Sequence, residues 1–300
     1  MFRSVLVIAA VVAALAAAPS AAAAQGQRGQ RAAGCPLESK QFHQCALEKA
    51  KTFNPPRTPE GVPDFRGYWD SQHNGSIWDF EPRPGQGAIA PASTGLRVDS
   101  PDTKIPYQPS ALAKRNALAP RKFEDPTAHC ARTTTPRTNL TVRGLQIVQP
   151  PGSVVFLYEN FHDFSIIPTD GRGHRLPESI KLWHADGVGR WEGNTLVVDY
   201  ANANGKQWLD QSGNFQSEQT HIVERYTMVD ADTIHFEATI TDPTIYTQPW
   251  TIALALTRNK EEGYYMLEYA CHEGERDLQH YSEADGRGQS DVFIDPTKKN

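Results

Sequence analysis

The sequence predicts an all-β protein in which an antiparallel meander closes into a barrel, with a β-sandwich as the alternative. Three observations support this fold class. From about residue 144 the chain consists of short runs of β-branched and aromatic residues, compact turn signals separate the runs, and a proline-rich stretch precedes them. Strands joined by short turns run antiparallel, and a sheet of many strands has exposed edges unless it closes.

The first 24 residues have the features of a secretory signal peptide. One positive charge at Arg3 precedes an apolar run from Val5 to Ala18, and the small residues Ala22 and Ala24 suit signal peptidase cleavage. The run is short for a bilayer span, which disfavours the alternative of a retained membrane anchor. We therefore expect a soluble protein that is periplasmic or secreted and has no stable membrane insertion.

Removal of this segment leaves 276 of the 300 residues, enough for one large domain or two small ones. The net charge changes from −5 to −6, because Arg3 is the one charged residue removed. This balance favours neither nucleic acid nor an anionic membrane as a partner. We expect a small-molecule ligand, and the sequence leaves the oligomeric state open.

Four cysteines in an exported chain predict two disulfides. Of the three connectivities we favour Cys35–Cys45 with Cys130–Cys271, because the first pair closes a short loop. The second bridge would then tie the middle of the chain to a C-terminal strand. A cysteine-based zinc site is the alternative, although no Cys-x-x-Cys spacing occurs. Residues 25–53 are predicted to be a flexible leader with a short Cys-bridged segment.

Prolines concentrate between Asn54 and Pro177, which hold 17 of the 22 in the chain. Proline lacks an N–H for a sheet ladder and stops helices, so we expect residues 54–143 to form an irregular wrap. This wrap belongs to one domain with the barrel core, residues 144–300. One short helix is predicted at Ser110–Leu118, where a capping serine precedes alanines and leucines.

Alternation of apolar and polar residues is clearest in residues 233–241, where Ile234, Phe236, Ala238 and Ile240 share one face. Gly67-Tyr68-Trp69 resembles the first strand of lipocalin-like barrels and favours the barrel over the sandwich. The predicted strands are LQIVQ, SVVFLYE, FSIIPT, VGRW, TLVVDYA, THIVERYTMV, TIHFEATIT, WTIALALT and YYMLEYAC.

The longest distinctive stretch is VGRWEGNTLVVDY, residues 188–200. Five further stretches accompany it: FEDPTAHC, IIPTDGRGH, VERYTMVDADT, ITDPTIYTQPW and LEYACHEG. Together they resemble a functionally uncharacterised group of exported proteins that is common in soil bacteria. Asn194 stands where that group has Asp, a conservative change in a turn. The resemblance covers most of the mature chain and implies a common fold and an envelope location, but it transfers no catalytic residue.

The densest polar cluster is the loop from Asp170 to His174. Its two glycines permit unusual backbone geometry, Arg172 could anchor an anionic or polyhydroxylated ligand, and Asp170 and His174 could act as an acid/base pair. The alternative is a solvated loop in which Asp170 caps the turn and pairs with Arg172.

Three histidines within 25 residues, His162, His174 and His184, are candidate metal ligands if their loops converge. Zinc, iron or copper would suit them. No recognised ligand spacing such as His-x-His occurs, so the cofactor stays unknown and a divalent metal is not favoured.

Three glutamates lie in otherwise apolar runs: Glu159, Glu224 and Glu268. A carboxylate that faces a barrel interior must be paired, protonated or functional, because an unpaired buried charge is costly. We expect Glu159 or Glu268 to add a second catalytic carboxylate. The alternative is that all three lie on the solvated face of the sheet.

Glu192 is interpreted as a turn residue, because Gly193 and Asn194 suit a hairpin between VGRW and TLVV. Trp191 beside it is instead a candidate wall of a pocket mouth. Four tryptophans, Trp69, Trp183, Trp191 and Trp250, are candidate ligand-stacking residues.

The leading hypothesis is an exported barrel enzyme that performs acid/base chemistry, as a lyase, isomerase or hydrolase, on a small organic or sugar-derived ligand. The chain lacks the sequence signatures of common serine hydrolases, P-loop enzymes, zincins and Rossmann oxidoreductases, which argues against these families. The rival hypothesis is a non-catalytic protein that binds a small molecule or carbohydrate at the same barrel mouth.

Overall fold

Nine antiparallel strands form one sheet that is nearly closed into a barrel, as the sequence predicted. The computed structural model describes residues 31–72, 79–85, 92–140 and 144–271. The predicted signal peptide lies outside these residues. In chain order the strands are β1 (Arg31–Ala32), β2 (Cys35–Pro36), β3 (Gly67–Gln72), β4 (Leu145–Val148), β5 (Ser153–Tyr158), β6 (Asp163–Pro168), β7 (Asp186–Glu192), β8 (Thr195–Ala201), β9 (His221–Asp230), β10 (Thr233–Thr241) and β11 (Trp250–Arg258).

The barrel consists of two meanders, and β1 and β2 form a separate small hairpin. The sheet order is β6-β5-β4-β3-β11-β10-β9-β8-β7. Strands β3 to β6 are one meander and β7 to β11 the other. The pairing of β3 with β11 joins them, through register partners such as Trp69 and Arg258. The sequence predicted a purely sequential meander, which would not contain this long-range pairing of β3 with β11.

The barrel closes where the two terminal strands, β6 and β7, contact each other. Gly187 and Gly189 on β7 make this approach possible. A Cβ atom on Gly189 would lie 2.7 Å from Ile167 Cγ2 and 2.9 Å from Thr169 Cγ2. Ile167 on β6 therefore packs directly against the β7 backbone.

Alternate residues of every long strand fill the interior. On β10 the predicted alternation is present, and Ile234, Phe236, Ala238 and Ile240 all lie in the core. The same rule places Trp69 of β3 and Trp250 of β11 among the largest fully buried side chains. These apolar side chains form a packed core along much of the barrel interior.

The predicted strand YYMLEYAC does not form. Residues 264–270 have no regular secondary structure. Both edges of β11 are already paired, one with β10 and the other with β3, so the sheet offers no partner to a strand that follows β11. Glu268 is exposed as a result.

The proline-rich residues wrap the barrel largely as predicted. The helix expected within them is present as the second α-helix of the described residues, α2. It spans Pro109–Leu118, and single bridges such as Arg97 with Ile252 and Tyr107 with Tyr246 attach the surrounding chain to the C-terminal half. The wrap also contributes β3, a full barrel strand.

The segment that the sequence assigned to a flexible leader contains a twelve-residue helix, α1 (Ser39–Ala50). The Glu38 side chain caps it by accepting hydrogen bonds from the backbone N–H groups of Lys40 and Gln41. Phe42 and Ala46 belong to a second small core on the outer face of the sheet. The polar composition of the preceding residues concealed this amphipathic helix.

Both predicted disulfides are present, Cys35–Cys45 and Cys130–Cys271, so no thiol is free for a zinc site. Disulfides of this kind fit an oxidising compartment. Within the described residues, no helix combines the length and apolar character that a membrane span requires.

Candidate active site

Polar side chains from β5, β6, β8 and β9 point into one part of the barrel interior. Strand alternation aims them inward, between apolar residues of the same strands that also fill the core. All of them are buried, and a polar group in this position must find a partner inside the protein. They are Tyr158, Asp163, Ser165, Tyr200, Glu224 and Tyr226.

A segment of the wrap, residues 132–140, covers this polar interior. It passes through a cis Thr135–Pro136 peptide into a short 3-10 helix, Arg137–Leu140. A buried ion pair holds it: Arg137 Nη1 donates to Asp125 Oδ1 at 2.9 Å and Nη2 to Oδ2 at 2.6 Å. The proline-rich region therefore completes the interior site as well as covering it.

Glu224 is the most deeply buried carboxyl of the cluster, with no exposed surface. It accepts hydrogen bonds from Thr135 Oγ1, from Asn139 Nδ2 at 3.1 Å, and from the Tyr226 hydroxyl at 2.7 Å. Burial raises the pKa of Glu224 to about 7, although these hydrogen bonds each lower it. Near neutral pH this carboxyl can therefore both donate and accept a proton.

Three tyrosines surround Glu224. The Tyr158 hydroxyl donates to Asn139 Oδ1 at 3.4 Å, and Tyr226 bonds Glu224 itself. The Tyr200 hydroxyl lies beside Glu224 without a well-formed hydrogen bond. Burial raises the pKa of each phenol well above its ordinary value, so all three stay neutral.

Ser165 and His184 form a short hydrogen bond next to these tyrosines, with Ser165 Oγ 2.6 Å from His184 Nε2. On the other side of the ring, His184 Nδ1 lies 3.3 Å from the Thr133 carbonyl oxygen and 3.6 Å from Asp163 Oδ2. The ring centroids of Tyr158 and Tyr200 are 6.2 and 6.1 Å from that of His184. The Ser165–His184 pair therefore lies next to the tyrosines that surround Glu224.

The surroundings of His184 fix which nitrogen carries the proton. Burial lowers its pKa, an effect that the charge of Asp163 partly opposes, so the ring is neutral. A carbonyl oxygen only accepts, so Nδ1 is the protonated atom and donates to Thr133. Nε2 is then unprotonated and accepts the hydroxyl proton of Ser165. This is the tautomer that a general base for a serine needs.

Asp163 is held by Arg132 as well as lying beside His184. Arg132 Nη2 donates to Asp163 Oδ1, and Nε donates to Oδ2 at 3.2 Å. Asp163 is buried, whereas the Arg132 side chain is 39% exposed. A negative charge near Nδ1 would stabilise the imidazolium that forms when His184 takes a proton. Arg132 connects this part of the site to the surface.

The predicted acid/base loop, residues 170–174, lies outside the polar interior. Asp170 and Arg172 are exposed and bind each other, with Arg172 Nε 2.8 Å from Asp170 Oδ1, and Arg172 holds the pKa of Asp170 at about 2. This is the arrangement of the solvated-loop alternative. Among the described contacts, no hydrogen bond or ion pair joins Asp170 to His174.

His174 lies on the outer face of the sheet. Its Nδ1 is 2.9 Å from Asp186 Oδ2, and its Nε2 is 2.9 Å from Asp199 Oδ1. His221 Nε2 reaches the same Asp199 oxygen at 2.8 Å. The pKa of His221 is raised, chiefly by the hydrogen bond that it donates to Asp199, and that of His174 is raised because its two Asp partners outweigh desolvation. His174 is thus a partly screened ion-pair residue, separate from the interior.

The two predicted second carboxylates have different surroundings. Glu159 follows β5, is buried, and accepts from the Tyr264 hydroxyl at 3.4 Å. Glu268 is exposed and does not face the interior. The glutamate that enters the barrel is Glu224, which the sequence placed in the same group without selecting it.

The four predicted stacking tryptophans do not share one surface. Trp69 and Trp250 are fully enclosed in the core, where neither ring has a free face. Trp183 is half-buried, with Lys206 Nζ 5.9 Å from its ring centre. Trp191 borders a cleft of about 140 Å³ together with Glu60 and Gln149, and His184 does not line this cleft.

The three predicted metal-ligating histidines do not converge. His162 accepts a hydrogen bond from the Tyr269 backbone N–H at 2.8 Å, His174 lies on the outer face, and His184 is inside the barrel. In the described part of the chain, the group of three suitable ligands is a different one: His43, His235 and Glu237.

Sequence reasoning did not identify Asp163, Ser165, Thr135 or Asn139. Ser165 lies in the predicted strand FSIIPT and Asp163 directly precedes that run, whereas β6 begins at Asp163. The cap residues lie in irregular chain, where no periodicity indicates a direction. The outer-face pairing of Glu192 with Arg190 and Arg225 confirms its structural role in the β7–β8 hairpin.

Neither a protein-family model nor a curated protein matches the chain.

Proposed function

We propose that the protein is an acid/base enzyme, specifically a hydrolase of small acyl compounds such as esters, with Ser165 as the nucleophile. The observation that carries this proposal is the 2.6 Å contact between Ser165 Oγ and His184 Nε2, with Asp163 and the Thr133 carbonyl on the opposite nitrogen. Such a serine, base and orienting carboxylate are recognised by geometry and roles rather than by sequence order.

The reaction follows from the protonation states. His184 Nε2 takes the Ser165 proton while Oγ attacks the carbonyl carbon of the substrate, and the imidazolium then returns that proton to the departing alcohol oxygen. Water, deprotonated by the same nitrogen, releases the acid and restores the serine. The Tyr200 hydroxyl, next to the His184 ring, would donate to the developing oxyanion. Asp163 would stabilise the transient imidazolium.

A serine-reactive fluorophosphonate and a panel of short-chain p-nitrophenyl esters test the proposal. We expect one label per chain and measurable ester turnover, both lost in Ser165→Ala and turnover strongly reduced in His184→Asn. Ser100→Ala is the matched control, because that hydroxyl lies in the wrap and bonds Asp102. Turnover that survives Ser165→Ala but is lost in His174→Asn would place the chemistry on the outer face and overturn the interior site.

The second candidate function is ligand binding without chemistry at the cleft that Trp191 borders. A half-buried aromatic ring beside the exposed carboxylate of Glu60 is the combination that stacks on and hydrogen-bonds a sugar. Under this alternative Trp191→Ala abolishes carbohydrate binding and Ser165→Ala does not affect it.

We also propose that the chain is exported to the periplasm or secreted, that its barrel is lipocalin-like, and that it belongs with the uncharacterised exported proteins that its WEGNTLVV stretch resembles. The two disulfides support the location. Cleavage after residue 24, measured by the intact mass of the exported chain, tests the signal peptide.

A further inference from the structure

Two imidazoles and a carboxylate meet on the outer face of the barrel, beneath α1. His43 lies on this helix, and His235 and Glu237 lie two positions apart on β10, so their side chains share the outer face. The catalytic groups proposed above lie inside the barrel. The outer cluster is therefore a separate feature with its own chemistry.

The three ligand atoms are close enough to share one ion. His43 Nδ1 lies 3.1 Å from His235 Nε2 and 3.6 Å from Glu237 Oε1, and one ligand atom from each residue lies within 4.8 Å of the others. Zinc bonds nitrogen and oxygen at about 2.0–2.1 Å, so neighbouring ligands of a tetrahedral ion lie about 3.3 Å apart. The observed separations need only small adjustments to surround an ion.

Protein contacts alone leave this cluster incompletely satisfied. One N–H···N hydrogen bond can join the two rings. Glu237 Oε1 is 3.6 Å from His43 Nδ1, and Glu237 Oε2 is 3.8 Å from His235 Nδ1, both beyond hydrogen-bond length. The side chain of His235 is 1% exposed and that of Glu237 is 17% exposed. A cation between the three would bind the partly exposed carboxylate and both nitrogens together.

The surrounding structure fixes the ligands in place. His235 and Glu237 lie on a central strand paired on both sides, with Ala255 and Ala253 opposite them on β11. These small side chains leave room for α1 to approach. The Cys35–Cys45 bridge ties Cys45, two residues after His43, to the β1–β2 hairpin. Ligands on rigid, anchored elements are what a preformed metal site requires.

We propose that His43, His235 and Glu237 bind one divalent transition-metal ion through two imidazole nitrogens and one carboxylate, with zinc as the expected ion. This ligand set suits zinc and iron, and three protein ligands leave a coordination position for water. His43 and Glu237 are each partly exposed, so solvent reaches the open side.

Zinc binding to the full exported chain, stripped with EDTA and with both disulfides intact, tests the site. Isothermal titration with Zn²⁺ alone is expected to show one ion per chain. His43→Asn and Glu237→Gln should weaken the affinity at least about tenfold, because even loss of an outer hydrogen-bond partner of a ligand costs that much. His221→Asn is the control, since this histidine pairs with Asp199 at a different place on the outer face.

Cobalt in place of zinc supplies an independent readout. The wild-type protein should develop the visible absorption bands of Co²⁺ in a low-symmetry nitrogen and oxygen site, and His43→Asn should lose them while its near-ultraviolet circular dichroism stays unchanged. The proposal is overturned if the wild-type chain takes up no stoichiometric Zn²⁺, if His43→Asn binds it within tenfold of wild type, or if His221→Asn abolishes binding.

Discussion

Glu224 and Tyr226 lie two positions apart on β9, and inside the barrel the Tyr226 hydroxyl donates to Glu224 Oε2 at 2.7 Å. Because β9 alternates faces, Arg225 between them points outward to Glu192. One strand thus supplies both a surface ion pair and the central carboxyl of the interior. Because burial raises the pKa of Glu224, the stability of the fold depends on pH.

The free energy of unfolding should fall as pH rises from about 4.5 to about 7, because burial raises the folded-state pKa of Glu224 to about 7 from 4.5. Below this window the carboxyl is protonated in both states; within it only the unfolded state loses the proton, which favours unfolding. A shift of this size corresponds to about 3 kcal/mol. Urea unfolding of wild type and Glu224→Gln at pH 5 and pH 8 measures it.

In that comparison the wild-type chain should lose stability relative to Glu224→Gln between the two pH values. Glu192→Gln is the matched control: Arg225 and Arg190 lower the pKa of this exposed glutamate, so it is ionised throughout the window and its removal leaves the slope unchanged. Equal slopes for wild type and Glu224→Gln would show that Glu224 is ionised in the folded protein.

The hydrolase proposal predicts an acid limb for kcat/KM that lies below pH 6.5. Burial lowers the pKa of His184 from its ordinary 6.5, so the ring stays a neutral base to lower pH than a free histidine. Turnover of the best p-nitrophenyl ester between pH 4 and 8 measures the limb. A limb above pH 7 would indicate a different base.

The sequence predicted the barrel because its evidence is local. Strand alternation in residues 233–241, the turn at Gly193 and the Cys35–Cys45 pair each depend on a few neighbouring residues, and each is present. The leader and the last strand were predicted incorrectly for a non-local reason. Whether α1 has a face to cover, or residues 264–271 have an edge to pair with, depends on strands far away in the chain.

The same distinction explains the partial prediction of the site. Glu159, Glu224 and Glu268 look alike in sequence, each next to apolar and aromatic residues. The register of β9 with β8 and β10 determines that Glu224 faces inward. His184 was selected as a metal ligand, yet its partner Ser165 is 19 residues away on β6. Contacts of this kind depend on how distant parts of the chain meet inside the barrel, which local sequence patterns do not encode.

Barrel closure itself depends on small residues in β7. Gly189→Ala should destabilise the protein by about 1–3 kcal/mol, the usual cost of overpacking, because the added methyl would lie 2.7 Å from Ile167 Cγ2. Gly173→Ala is the control, since its added Cβ would meet nothing within 4 Å. Thermal unfolding of the two variants gives the comparison. Equal stability would mean that β6 can move away from β7 without cost.

The cap over the interior is the last feature with a sharp test, because two of the bidentate Arg–Asp pairs lie in opposite surroundings. Arg137 and Asp125 are buried within the wrap, whereas Arg172 and Asp170 are exposed in a loop. Removing one partner of a buried pair leaves an uncompensated charge and costs about 3–5 kcal/mol. An exposed pair is screened by water and contributes little.

We therefore expect Asp125→Asn to lower the free energy of unfolding by several kcal/mol and Asp170→Asn to leave it close to wild type. Asp125→Asn should also reduce ester turnover at temperatures where it stays folded, because Arg137 anchors the segment that carries Thr133, Thr135 and Asn139 to His184 and Glu224. Urea unfolding and the ester assay on both variants measure the two effects. If Asp125→Asn is destabilised but keeps full turnover, the cap protects the interior without positioning its catalytic groups.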